Sequence, residues 1–426
     1  MSNKLKLFYT TSKERFEPII DKLDIAILIL YGLFVFEAFL RSTTFEINWH
    51  PYYHMSLKAI LILLVFGKSL LKFMDNIPLY MLLGFCSVGF LLAYLQGNHG
   101  ILLELILFTI AFVDIDFDKV ITVFTITIGI SLFIVILGSQ TNILNNLIYT
   151  SEQRSTRISF GIHYPTNFAS YVFYLCSSWL FIRKMNISYT EITTMYVLSY
   201  IILRFCDAQT STICLILLLS FTLVFKILTN FNKEKKDSYK AISFLLMSIF
   251  PFSSIFSILF TNIFSYDLKW IVNLDNFLSN RFSIGKITIN NFDVKLWGQH
   301  IEMEGNGGYS LPWYNYNTIN KSGYNFIDSS YLSILFRYGL FVFICVMVLF
   351  TLTSFVARKH NDYITLIIIA IIAIHSIMEH HLLDFNYNPF MFLLVSSYYV
   401  KHINKHKIKK SSIKESEKAL LKEGQT

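Results

Sequence analysis

The sequence predicts an all-α, polytopic integral membrane protein of about 12 transmembrane helices, with one large extracellular loop between the ninth and tenth. Three observations lead there. Of the 426 residues, 54% are hydrophobic and only 15% charged, with 41 Phe, and mean hydropathy is +0.51. That is outside the usage of soluble domains. Apolar runs near the roughly 20 residues that cross a bilayer recur along the chain. Lys and Arg gather between alternate runs, the pattern that orients a membrane chain.

The runs cover 24–41, 55–71, 78–96, 100–117, 119–138, 167–182, 191–206, 210–229, 241–260, 331–357, 363–378 and 389–402. Those starting at 100, 363 and 389 are the short ones. Lipid offers the backbone no hydrogen bonds, so each run is expected as a helix. Lys4, Lys6, Lys13, Arg15 and Lys22 precede the first run; Lys68 and Lys72, Lys119, Arg183 and Lys184, the lysines from Lys226 to Lys240, and Arg358 and Lys359 follow alternate later ones. With twelve spans all lie on one side, which places both termini in the cytoplasm. One transmembrane domain is therefore expected over 1–402, with a basic, polar cytoplasmic tail over 403–426. The N-terminus lacks an early apolar run with a small-residue cleavage site, so the first span is expected as an uncleaved anchor.

The net charge of +8 sits in short loops and the tail, where it fixes orientation and meets anionic lipid rather than nucleic acid. Five cysteines show no CxxC spacing, so neither disulfides nor cysteine-bound zinc is expected. No internal repeat and no pair of Gly- or Pro-broken helices suggests an inverted-repeat transporter.

Chemistry-bearing residues gather on the outer side. Arg154 and Arg157 can share one helical face and fork onto phosphate oxygens, or rest against lipid headgroups. Gly161, His163, Pro165 and Asn167 follow them. The passage Thr261–Asp328 (outer loop 261–330) is the one long polar stretch; it carries Arg281, Trp297, His300, Trp313, Tyr314 and Tyr316. Asp328 either caps the next helix or takes a proton from a sugar hydroxyl with a pKa raised by an apolar pocket. The two roles are compatible.

The last outer loop begins Glu379-His380-His381. Its composition suits a metal, but neighbouring residues of a helix point apart and no HxxxH or HxH pair accompanies them. No metal is expected there, and Glu379 is read as bonding a polar substrate or an arginine. Asp114-Ile115-Asp116 has the DxD form of a cation-holding element, yet the lysine pattern puts it in the cytoplasm. Glu37, Lys58, Lys68 and Glu104 lie near span ends, where snorkelling accounts for them. Arg204 and Asp207 are placed to pair.

In order, Arg157 with Gly161, His163, Pro165 and Asn167; Leu278-Ser279-Asn280-Arg281; Trp297-Gly298-Gln299; Ile327-Asp328 through Tyr331 and Gly339; and Glu379 with Tyr387-Asn388-Pro389-Phe390 resemble the Wzy-type polysaccharide repeat-unit polymerases. These belong to the O-antigen polymerase and ligase superfamily. The likeness runs from about 154 to 392, and the first half is similar only in hydropathy. Ligase members usually carry a histidine where this chain has Asp328, so the resemblance favours the capsule or exopolysaccharide branch and leaves His300 as a rival base. Asp207-Ala208-Gln209-Thr210 stands where a Ser-Arg-Thr-like element is usual.

The resemblance implies a metal- and cofactor-independent glycosyltransferase at the outer face of a bacterial cytoplasmic membrane. It would join undecaprenyl-diphosphate-linked oligosaccharides, with a flippase and a chain-length regulator as pathway partners. Arg157 and Arg281 would stabilise the leaving diphosphate, Arg154 assisting, with Asp328 as base. Glu379, His163, Asn167, His300, Tyr331 and Asn388 would bind substrate, and Tyr331, Trp313 and Trp297 would stack on sugars. The alternative of a different class is a lipid-linked oligosaccharide flippase, which predicts charges lining the middle of several spans.

Overall fold

Helices form along the apolar runs and stop where capping residues stand. The computed structural model describes residues 3–45, 51–151, 154–231, 236–303 and 326–396. It is 77% helical. In chain order the helices are α1 (Asn3–Arg41), α2 (Pro51–Lys72), α3 (Ile77–Gly97), α4 (Ile101–Ala111), α5 (Phe117–Gln140), α6 (Pro165–Arg183), α7 (Tyr189–Ile201) and α8 (Gln209–Phe231). Then come α9 (Lys236–Ile263), α10 (Lys269–Phe277), α11 (Arg281–Asn291), α12 (Ser330–Ser333), α13 (Leu340–Lys359) and α14 (Tyr363–Met378). Seven of them, α1, α2, α3, α5, α8, α9 and α13, are long and apolar enough to cross a membrane, while α4 and α14 are apolar but shorter.

Local chemistry sets the boundaries. The Asn76 side chain accepts from Leu79 N at the start of α3. Ser188 and Glu191 form a reciprocal capping box on α7. Asp116 of the DxD element caps α5, and Asp114 pairs with Lys72 at 3.4 Å. Each such cap satisfies amides that the helix leaves open.

The centre of the fold is α14, buried along nearly its whole length and packed on α8 and α9. A helix apolar all round needs such surroundings. Outer helices instead turn large apolar side chains outward, among them Leu63 (70% exposed) and Phe85 (67%). That is the surface a chain in lipid presents.

Several expectations need correction. The stretch that carries Arg154 and Arg157 is not helical: β1 (Ile148–Ser151) and β2 (Arg154–Ile158) form an antiparallel hairpin. Residues three apart in a strand do not share a face, so the helical fork of Arg154 and Arg157 is not formed. The run 331–357 is not one helix; a π-turn, Ile334–Tyr338, and Gly339 separate α12 from α13. The described part of the last run, Pro389 to Ser396, is a short 3-10 turn and further turns, not a helix. The polar passage after α9 holds α10 and α11. Trp313, Tyr314, Tyr316 and the tail lie outside the described residues.

Snorkelling does not describe the charges in the spans. Lys68 is 1% exposed; it pairs with Asp24 at 2.7 Å and donates to Ala111 O. Glu37 (2% exposed) and Glu104 (7%) are likewise buried. His54 bridges them, with Nδ1 and Nε2 each 2.9 Å from one carboxylate. Arg41 and Lys58 complete the group at 2.6 and 2.8 Å. Charges away from water need partners more than they need reach. Arg204 and Asp207 form no ion pair with each other among the described residues.

Two glycines far apart in sequence dock the polar passage on α13. Gly298 (φ +72) and Gly339 (φ +94) meet backbone to backbone, and a Cβ on either would collide with the main chain of the other segment. Gln299 N donates to Arg337 O, and Leu340 N and Phe341 N donate to Lys295 O and Leu296 O, at 3.0–3.1 Å. Positive φ and close approach together require glycine at both positions.

Candidate functional site

Four segments remote in sequence converge at one end of α14. Arg281 starts α11 because the chain turns through two left-handed residues, Ser279 and Asn280. Asp275 then caps the helix, its Oδ1 accepting from Phe282 N at 2.7 Å. The Arg281 guanidinium reaches across: Nη1 lies 2.6 Å from Asp328 Oδ2 and Nε donates to Met378 O at 3.0 Å. Both partners of the ion pair are largely buried, with side chains 16% and 13% exposed.

Asp328 does not cap α12. Ser329 holds the cap position without a side-chain bond, and its hydroxyl instead lies 3.0 Å from that of Ser257 on α9. Ser330 Oγ donates to Glu379 O and accepts from Leu382 N. The segment after Asp328 is thus tied to the one after α14.

Glu379 leaves α14 in extended conformation (φ −128, ψ 143) and is 5% exposed. Burial pushes its carboxyl up to about 7; the Arg281 charge opposes this, the Asp328 charge adds to it, and the Arg157 charge opposes it. Those influences place both guanidiniums and the Asp328 carboxylate within electrostatic reach of Glu379. Arg157 is held on β2 by Nε donating to Cys206 O at 2.9 Å. The carbonyl comes from the turn before Asp207-Ala208-Gln209-Thr210, so a loop that departs from the expected pattern still positions the arginine. For Arg154 only the backbone, in β2, is described.

The other expected ligands separate into two sets. His163 is half-buried, its main chain bonded to Ser42 O and accepting from the Tyr149 hydroxyl; Asn167 lies on the first turn of α6. Tyr331 is fully buried and its hydroxyl donates to Ala373 O at 2.8 Å, so it packs the core and stacks on no sugar. Asn388, also fully buried, bonds Leu382 O and caps the following turn, which consumes its amide structurally. His300 bonds Gly97 O and faces His99 across 6.3 Å. Trp297 packs on Phe341.

Arg337 joins these residues without having been expected among them. It sits in the π-turn before Gly339, its Nε is buried without a hydrogen-bond partner, and its charge reaches His380 and Asp384. The arginine inside Leu335-Phe336-Arg337-Tyr338 was the available signal, since a charge within an apolar run needs a reason. The Asp275 cap and the Asp384 partner of His381, Nδ1 to Oδ2 at 3.1 Å, were likewise unmarked by any sequence pattern. Burial pushes His380 and His381 down to about 3 and Asp384 up.

The arrangement offers three guanidiniums and several carboxylates beside a lipid-exposed helical bundle. Guanidiniums bind phosphate oxygens in pairs, and a buried carboxylate can exchange a proton. No protein-family model, curated protein or solved structure matches the chain.

Proposed function

We propose that the protein is a polysaccharide polymerase of the Wzy type, joining oligosaccharide repeat units carried on undecaprenyl diphosphate. The observation that carries this reading is the gathering of Arg157, Arg281, Asp328 and Glu379 from four separate segments.

In the reaction, a terminal hydroxyl of the incoming repeat attacks the anomeric carbon of the growing chain. The new C–O bond forms as the bond to the lipid diphosphate breaks, and the electron pair leaves on the phosphate oxygen. Arg157 and Arg281 hold the developing negative charge, assisted by Arg337. Fixed donors in a water-poor site are the largest source of rate here. Arg281 is paired to Asp328 at rest; turning to the diphosphate, it releases a carboxylate that accepts the hydroxyl proton. Glu379 orients the group or binds sugar.

The topology that suits this chemistry puts the site at the outer face of a bacterial cell membrane. A flippase and a chain-length regulator would act beside it. A lipid-linked oligosaccharide flippase is the second reading, and the buried Glu37–His54–Glu104 group is the observation in its favour. Those charges satisfy one another, which is how structural ion groups behave. Deleting the gene in a polymer-producing cell distinguishes the two. Single lipid-linked repeats exposed outside support a polymerase; repeats trapped inside support a flippase.

A further inference from the structure

Three lone-pair donors face one another where the chain leaves α14. Neighbouring histidines would point apart on a helix, but the extended Glu379 (φ −128, ψ 143) ends it and the rings of His380 and His381 come to 4.1 Å. One ligand atom from each of Glu379, His380 and His381 lies within 4.8 Å of the other two. The His380 Nδ1 and His381 Nε2 atoms are buried with no hydrogen-bond partner. His381 is 1% exposed.

The surroundings of His381 fit the same role. Asp384 Oδ2 takes the Nδ1 side of His381, and the ring stacks on Tyr387 at 3.8 Å. This leaves Nε2 as the nitrogen turned to the cluster. A carboxylate behind a histidine is the arrangement that fixes tautomer and ring orientation at metal sites. Buried nitrogen acceptors without a donor are costly, and a cation supplies what His380 Nδ1 and His381 Nε2 lack.

We propose that Glu379, His380 and His381 form a site for one divalent transition-metal ion of the zinc type. Two imidazoles and a carboxylate suit zinc or ferrous iron, whereas Mg²⁺ and Ca²⁺ want oxygen ligands. Metal–ligand bonds of about 2.0–2.2 Å put the ligand atoms of a tetrahedral site about 3.4 Å apart, inside the 4.8 Å that bounds these three. Three protein donors leave a coordination position open, for water or for an anionic oxygen. Arg281, bonded to the carbonyl of Met378, stands next to the site, so an anion could bridge guanidinium and metal. The assignment does not depend on the polymerase reading.

The test uses the full-length protein in lipid nanodiscs, stripped with a chelator and titrated with Zn²⁺, Co²⁺ and, as control, Mg²⁺. The expected result is one Zn²⁺ retained per chain by elemental analysis. Co²⁺ should give the intense visible absorption of a four-coordinate site, and Mg²⁺ should not compete. His380→Gln, at the half-buried member, should abolish stoichiometric retention, and Asp384→Asn should weaken affinity about 10–100-fold. Wild-type protein that retains no Zn²⁺ and gives no Co²⁺ absorption overturns the proposal. So does binding unchanged in both His380→Gln and His381→Gln. No substrate enters this measurement, so its failure and that of the polymerase reading are told apart.

Discussion

Arg281 Nη1 lies 2.6 Å from Asp328 Oδ2, joining the first residue of α11 to a residue 47 positions later. The same guanidinium bonds the last residue of α14 through Met378 O, so one side chain couples three segments of the proposed site. Replacing Arg281 by Ala should lower polymerisation about 10²–10³-fold, the usual loss of one donor to developing charge. Lys at this position should be nearly as poor, because a fork that reaches two partners is lost. Rates of lipid-diphosphate release from a synthetic lipid-linked repeat measure both.

Asp328→Asn keeps the shape of the side chain and removes its basicity. Turnover should fall about 10²–10⁴-fold while the half-saturating concentration of the lipid-linked repeat changes little. An Asn variant with near-normal turnover would remove Asp328 from the role of base and leave it as the holder of Arg281.

Gly339→Ala should damage folding rather than chemistry. A side chain at φ +94 is strained, and its Cβ would strike the main chain at Gly298. Strain of this kind costs about 1–3 kcal/mol before the collision is counted. Thermal unfolding in nanodiscs should show a lowered Tm, and the same holds for Gly298→Ala. Normal stability in both would mean that this docking contact is not needed.

Glu104→Leu removes one carboxylate from the buried group around His54 and leaves Lys58 and the imidazole short of a partner. Breaking a buried pair on one side costs about 3–5 kcal/mol, seen as a lower Tm and faster proteolysis. If instead stability is kept and a transport function is lost, the flippase reading gains.

Much of the architecture was legible because the solvent of a membrane chain writes itself into composition: apolar runs mark helices, and lysines mark the ends. Arg157, Arg281, Asp328 and Glu379 were legible as polar residues between apolar runs, although their meeting depends on chain paths that no local pattern encodes. The Arg154–Ile158 strand was missed because two arginines read equally well on a helix. Arg337 was missed because a lone charge in an apolar run looks like part of the span, and the break at Gly339 is made by Gly298, 41 positions away. The resemblance implied Tyr331 and Asn388 as ligands, but burial commits their polar atoms to Ala373 O and Leu382 O. Buried Glu37, Lys68 and Glu104 looked like snorkelling residues because the partners that hold them come from other helices.

The most direct measurement is of Arg157→Lys in purified protein supplied with a synthetic undecaprenyl-diphosphate-linked repeat. Wild-type protein should lengthen the glycan and release undecaprenyl diphosphate, and the Lys variant should be slower by about 10²–10³-fold, its charge kept and its fork lost. Full-length polymer from the Lys variant, or a wild-type protein that moves the lipid across the bilayer without forming any glycosidic bond, would contradict the account.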